Sequence, residues 1–357
     1  MTTKAEFLAR LGGQGQGDPL YVPDLTLWHG THRDRGDLPG RWRDASLPEI
    51  AADLGVVAWT PVRPWRIETP GVEVERTETA SERITRWTTA AGALADRWTL
   101  GPDGSWWQVE YPVKSADDLK AAVALVRARS YVIDGAAAAR LAGLVPEAGV
   151  VAALENPTRP FSDLLYDLVG LTEGPMMLMM GYPEVAEIIQ ILEEKLAAFA
   201  PELARLTADV VYSPDNLDRQ FLAPALFDEY MADSYRRTVE ALGSRPLVVH
   251  AGGPVRQLLA PLAACGVAAV EGVCGPPQSD AGLTQAREAA GPGLTLWGGI
   301  PQDALLATHD RAAFEAAVAA AAAEARGDGR MVLGVADRVP ADAEIERLEA
   351  IGGLLEA

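Results

Sequence analysis

Leu247-Val-Val-His-Ala-Gly-Gly-Pro254 carries an apolar run into a histidine, then two glycines and a proline. A helical pattern follows, Val255-Arg-Gln-Leu-Leu-Ala-Pro-Leu-Ala-Ala-Cys-Gly266, with Pro254 suited to its first position. The signature is a buried strand, a tight turn and a helix. In a parallel barrel, His250 would stand at the C-terminal end of its strand, where such folds keep their chemistry.

The same unit recurs downstream. Ala268-Ala-Val-Glu-Gly-Val-Cys274 reads as a strand, with a helix from about Ser279 to Ala290. Leu294-Thr-Leu-Trp-Gly-Gly299 is another strand, leading to the alanine-rich helix Arg311 to Arg326. Met331-Val-Leu-Gly-Val335 is the next, followed by Ala336-Asp-Arg-Val-Pro340 and a closing helix. Apolar strands alternating with helices form right-handed βαβ units on a parallel sheet. Four such units predict an α/β fold of the TIM type, a (β/α)8 barrel. With no evident linker, residues 1–357 read as a single domain.

Upstream, Val56-Val-Ala-Trp59, Gly149-Val-Val-Ala-Ala-Leu154 and Ala208-Asp-Val-Val-Tyr212 supply further strands. Thr60-Pro-Val-Arg-Pro-Trp-Arg66 reads as a loop beyond the first of these, and Pro224 as the start of one long helix to about Leu242. From Val72 to Tyr111 the pattern switches to period two, in Val72-Glu-Val-Glu-Arg-Thr-Glu and Glu82-Arg-Ile-Thr-Arg-Trp-Thr among others. Alternation broken by turn residues predicts an inserted antiparallel β-meander near residues 72–111. Ser115-Ala-Asp-Asp118 is a helix start with an acidic third position.

Two other stretches invite a functional reading. Gly12-Gly-Gln-Gly-Gln-Gly17 follows no strand and lacks the Gly-Lys-Ser/Thr ending of a phosphate loop, so it reads as a loop. His29 and His32 in Trp28-His-Gly-Thr-His-Arg-Asp-Arg-Gly36 have a spacing that admits a metal pair, but Gly30 and Gly36 favour a solvated loop.

Lys and Arg number 31 against 50 Asp and Glu, a formal net charge of −19. That argues against nucleic acid or an anionic membrane as the main partner. Two cysteines, Cys265 and Cys274, make no disulfide framework and point to a reducing compartment. No apolar run is long enough to span a bilayer, and the first residues lack a signal-peptide core. The expectation is a cytoplasmic protein acting on a small molecule.

Five pieces resemble the uroporphyrinogen decarboxylase-like superfamily. They are Ser213-Pro-Asp-Asn-Leu-Asp218, Leu222-Ala-Pro-Ala-Leu-Phe-Asp-Glu-Tyr230, Val248-Val-His-Ala-Gly-Gly253, Leu294-Thr-Leu-Trp-Gly-Gly-Ile300 and Met331-Val-Leu-Gly-Val-Ala-Asp-Arg-Val-Pro340. The resemblance implies the barrel, and either decarboxylation of a polycarboxylate or methyl transfer to or from corrinoid proteins or thiols. By analogy with relatives in this fold it also implies a homodimer. The arginine-bearing N-terminal segment of the decarboxylases has no counterpart between Met1 and Arg43. The thiol-methyltransferase branch binds zinc through His-x-Cys and a later Cys. Here His250 matches, but Gly252 and Asp337 stand at the two cysteine positions.

His250, Glu271 and Asp337 end neighbouring strands and are therefore the catalytic candidates. One imidazole with two carboxylates suits zinc or another divalent ion with an open position, and such an ion polarises a substrate oxygen. Without a metal, His250 would act as acid or base with a carboxylate setting its tautomer. Asp215 is a fourth candidate, steadying a cationic intermediate in a cofactor-independent decarboxylase. Substrate contacts are expected from the walls Trp59, Trp297 and Met177, from Arg63 and Arg66 toward an acidic substituent, and from Glu155, Tyr212 and Asn216 at strand exits. The leading expectation is a methyltransferase whose methylcobalamin carrier is a separate corrinoid protein. The alternatives are the decarboxylase and a barrel that binds ligand without turnover.

Overall fold

The computed structural model describes residues 2–15, 19–101 and 105–356. Residues 16 and 17 of the glycine run, and 102–104 of the predicted meander, lie outside these. Fourteen strands are present among the described residues: β1 (Leu20–Tyr21), β2 (Ala58–Val62), β3 (Trp65–Glu68), β4 (Glu73–Glu78), β5 (Glu82–Thr89), β6 (Gly92–Leu100), β7 (Trp106–Glu110), β8 (Ser130–Ile133), β9 (Val150–Glu155), β10 (Val210–Leu217), β11 (Leu247–Ala251), β12 (Ala269–Val273), β13 (Thr295–Pro301) and β14 (Met331–Ala336).

Eight of them form one parallel sheet in the order β1-β14-β13-β12-β11-β10-β9-β2. Each strand has inward residues at every second position, and those of all eight meet in one buried cluster, from Leu20 and Trp59 round to Trp297 and Val332. A flat sheet cannot bring its two edges to a common interior, so the sheet is curled. Among the described residues no hydrogen-bonded ladder joins β1 to β2. The expected closed (β/α)8 barrel is therefore observed as a TIM-barrel-like fold with one seam lacking strand pairing.

The interior is filled in layers. The helix Lys4–Leu11 is capped by Thr3 with Glu6 reaching back, and it lies across the N-terminal ends of the strands. Its Arg10 donates to the carbonyl of Met331 at 2.9 Å, and Thr295 Oγ1 donates to the carbonyl of Arg10 at 2.9 Å. Phe7 thus plugs the barrel floor, 5.1 Å from the Trp297 ring and 6.2 Å from Trp59. Trp59 and Trp297 meet edge to face at 4.9 Å, and Tyr212 sits 5.6 Å beyond Trp59. Trp297 Nε1 donates to the Val22 carbonyl at 2.8 Å. Gly334 makes room for that indole, since a Cβ there would collide with it.

The outer shell packs helices on the strands. The meander is present as the antiparallel sheet β4-β5-β6-β7. Three segments differ from expectation. Residues 28–35 are not a loop but part of the helix Thr26–Arg35, ended by Gly36 in the left-handed region (φ 71). Gly30 weakens that helix by only about 1 kcal/mol, which the burial of Trp28 offsets. Thr60 to Arg66 is mostly strand, because β2 continues to Val62 and β3 pairs with β8. The long helix expected from Pro224 breaks at Met231 into Pro224–Tyr230 and Ala232–Leu242.

Candidate active site

Parallel pairing sets His250 of β11 beside Glu271 of β12, and both side chains are buried on the inward face. Asp337 follows the last residue of β14. Glu271 Oε2 lies 2.6 Å from His250 Nδ1, and Asp337 Oδ1 lies 3.3 Å from His250 Nε2. One ligand atom from each of the three falls within 4.8 Å of the others.

With the Nδ1 hydrogen directed at Glu271, a neutral imidazole would turn the Nε2 lone pair toward a carboxylate oxygen. That oxygen, Asp337 Oδ1, is buried and accepts no hydrogen bond. A positive charge between the two removes the conflict, and either a proton or a metal ion supplies it. Burial pushes the imidazole down, but Asp337 and Glu271 more than reverse this and raise it to about 9. Burial raises Glu271 to about 7 against the opposing pull of His250. The metal alternative also fits at His250 Nε2 and Asp337 Oδ1, whose 3.3 Å separation is that of neighbouring ligands on a tetrahedral ion, about 3.3–3.4 Å apart at the usual 2.0–2.1 Å ligand distance; a Glu271 oxygen lies within 4.8 Å of both. His250, Asp337 and Glu271 are the residues able to hold one.

Three further groups face this cluster. Tyr212 lies 6.4 Å from the His250 ring, and burial raises its phenol well above the ordinary value. Arg338 Nε approaches Asp337 Oδ1 at 3.4 Å without a hydrogen bond. Asp24 is buried and accepts from Thr26 Oγ1 at 2.5 Å. Its carboxyl is raised by desolvation, while the Thr26 hydrogen bonds and the Arg338 charge oppose the rise. Asp24 and Arg338 were not among the sequence candidates. The only signal for them was adjacency, to the end of β1 and to Asp337.

The glycines after β11 also have a steric role. A Cβ on Gly252 would run into the side-chain amide of Asn216, and one on Gly253 into the Asp218 carboxylate. Asn216 holds a left-handed backbone (φ 51) and accepts a 2.7 Å hydrogen bond at its carbonyl from Tyr166. Asn216 therefore occupies the space that a residue-252 thiolate would need.

The other candidates are not gathered here. Asp215 is wholly buried and saturated. It accepts from the Arg159 amide at 2.6 Å, Ser213 at 2.8 Å and Tyr235 at 2.5 Å, with the Arg159 guanidinium 3.8 Å away. Its oxygens are held by this buried network. Trp59 and Trp297 fill the barrel interior beneath the site and do not wall its mouth. Met177 is buried among the outer helices, while Met176, Met179 and Met180 are exposed. Arg63 is paired with Glu155 at 2.6 Å and Arg66 with Glu68 at 2.6 Å. Both arginines line a separate cavity. His29 and His32 diverge, His29 Nε2 to the Ala45 carbonyl and His32 to Asp37 and the Ala341 carbonyl, so they form no metal pair. Both cysteines are buried, and burial pushes the Cys274 thiol up to about 11, away from nucleophile range.

The family model for uroporphyrinogen decarboxylase (URO-D) matches residues 109–354. The chain belongs to the URO-D family. The matched span includes β8 to β14 and so holds His250, Glu271 and Asp337, while β1 to β6 and Asp24 precede it. A solved methyltransferase from Methanosarcina mazei is similar over 100% of this chain and 99% of its own, with TM-score 0.59 and 15% identity. At that identity the likeness is one of fold. A search of curated proteins gives no match. Among the described residues of this URO-D family member, no helix is long and apolar enough to cross a membrane.

Proposed function

We propose that this URO-D family enzyme is a methyltransferase that demethylates or methylates a small organic molecule at the C-terminal mouth of the barrel. The observation that carries the reading is the buried His250 held between Glu271 and Asp337, with Asp337 Oδ1 lacking a hydrogen bond. These three residues would hold a divalent ion. When bound, it would supply Lewis acidity to the oxygen or sulfur that carries or accepts the methyl group. In the metal-free protein Glu271 accepts from His250 Nδ1 and so fixes the tautomer and ring plane that turn Nε2 toward Asp337. Asp337 supplies the second negative charge, and Arg338 beside it moderates that charge. A cobalamin methyl carrier would come from a separate corrinoid protein. The methyltransferase fold neighbour is consistent with this reading.

The decarboxylase alternative draws less support, because the acid assigned to it, Asp215, already has its oxygens bound. The test is anaerobic incubation with free cob(I)alamin and a panel of methanol, methylamines, methyl thioethers and methoxy aromatics. The reading predicts methylcobalamin formation with at least one class, abolished in His250→Ala. Carbon dioxide release from a polycarboxylate, with no methyl transfer from any donor, would overturn it.

A further inference from the structure

The inserted sheet arches against the barrel and leaves a cavity of about 550 Å³, within the range of small-molecule sites. One wall is β4 to β7, including Arg76, Trp87 and Trp98. The other is β3 and β8 with Arg66 and Tyr131, closed by Pro157 and Thr158 after β9. None of the residues of the His250 cluster lines it.

Its aromatic faces are held in place. Trp98 Nε1 donates to Asp96 at 2.9 Å, and Tyr131 stacks on Phe199 at 5.3 Å. Its charges are not equally free. Arg63 has Glu155, Arg129 has Asp163 through both carboxylate oxygens, and Asp96 also takes the Thr85 amide. Among the described residues Arg66 has only the exposed Glu68 as carboxylate partner. Arg76 has no carboxylate partner among the described residues and stands exposed on β4. The side chain of Asp167 is open to the cavity, yet protein packs closely around it. Desolvation first, and then Asp163, raises it to about 7. The available lining is thus flat aromatic surface with two exposed guanidinium groups, Arg76 on one wall and Arg66 on the other, the combination that takes a ring bearing a carboxylate.

We propose that this cavity binds a planar aromatic carboxylate, with the ring among Trp87, Trp98 and Tyr131 and the carboxylate at Arg76 and Arg66. The proposal does not rest on methyl transfer. The test is calorimetric titration of the full chain with 2-naphthoate and with the neutral 2-naphthamide. Naphthoate is expected to bind saturably, with the amide about tenfold weaker or worse. Arg76→Gln, on an exposed strand where folding is unaffected, should weaken naphthoate about fivefold or more and leave the amide unchanged. Trp87→Leu should weaken both, and His250→Ala neither. Three results would each overturn the proposal: no saturable binding at millimolar concentration, equal affinity for acid and amide, or naphthoate affinity untouched by both Arg76→Gln and Arg66→Gln.

Discussion

Replacing Glu271 by glutamine removes one of the two carboxylates that keep His250 charged. In the metal-free protein the imidazole is raised from 6.5 to about 9, a net preference for the protonated form of roughly 3 kcal/mol. Burial opposes that preference, so the two carboxylates together supply more than the net. Deleting the Glu271 charge should therefore lower the His250 midpoint by at least about one unit. The assay is a ¹⁵N imidazole titration by NMR on chelator-treated protein between pH 5 and 10. The sign carries over to stability. A histidine whose folded value exceeds its unfolded value contributes stability in full below about pH 6.5, and loses it as pH rises through about 9. Denaturant midpoints of the metal-free wild type should fall across that window, and less so in Glu271→Gln. A wild-type midpoint at the ordinary histidine value, or one that Glu271→Gln leaves in place, would refute the electrostatic account of the site.

Other substitutions probe the frame. Gly252→Ala drives a methyl into the Asn216 amide and should cost about 1–3 kcal/mol in urea unfolding. Asn216→Ala in the same chain should recover part of that loss. Asp215→Asn leaves the wholly buried Arg159 without its counter-charge and should destabilise by about 3–5 kcal/mol while leaving metal content unchanged. Phe7→Ala empties the barrel floor beneath Trp59 and Trp297 and should cost about 3–5 kcal/mol, read by thermal or urea unfolding.

The parallel sheet was legible because each inner strand is an apolar run with a polar residue or glycine at its exit, as in Leu247 to Gly252 and Ala268 to Cys274. Alternation did the same for the meander. That His250, Glu271 and Asp337 come together was legible because they stand at the ends of neighbouring strands. What was lost depended on contacts distant in sequence. The helix Thr26–Arg35 hid behind Gly30 and Gly36, and only the burial of Trp28 shows why it forms. Trp59 and Trp297 looked like walls of a mouth, but Phe7, contributed by a helix more than fifty residues upstream of Trp59, makes them a floor. Asp215 looked like a free acid until Arg159 and Tyr235 closed on it. Met177 likewise looked like a wall of the mouth, but it is buried among the outer helices.

The central claim is that His250, Glu271 and Asp337 form a metal centre, and metal analysis of untagged protein purified without chelator tests it most directly. The account predicts about one equivalent of zinc or another divalent ion per chain, lost in His250→Ala and in Asp337→Asn. Wild-type protein that is metal-free and stays so when zinc is added would contradict it, leaving His250 an acid held by two carboxylates.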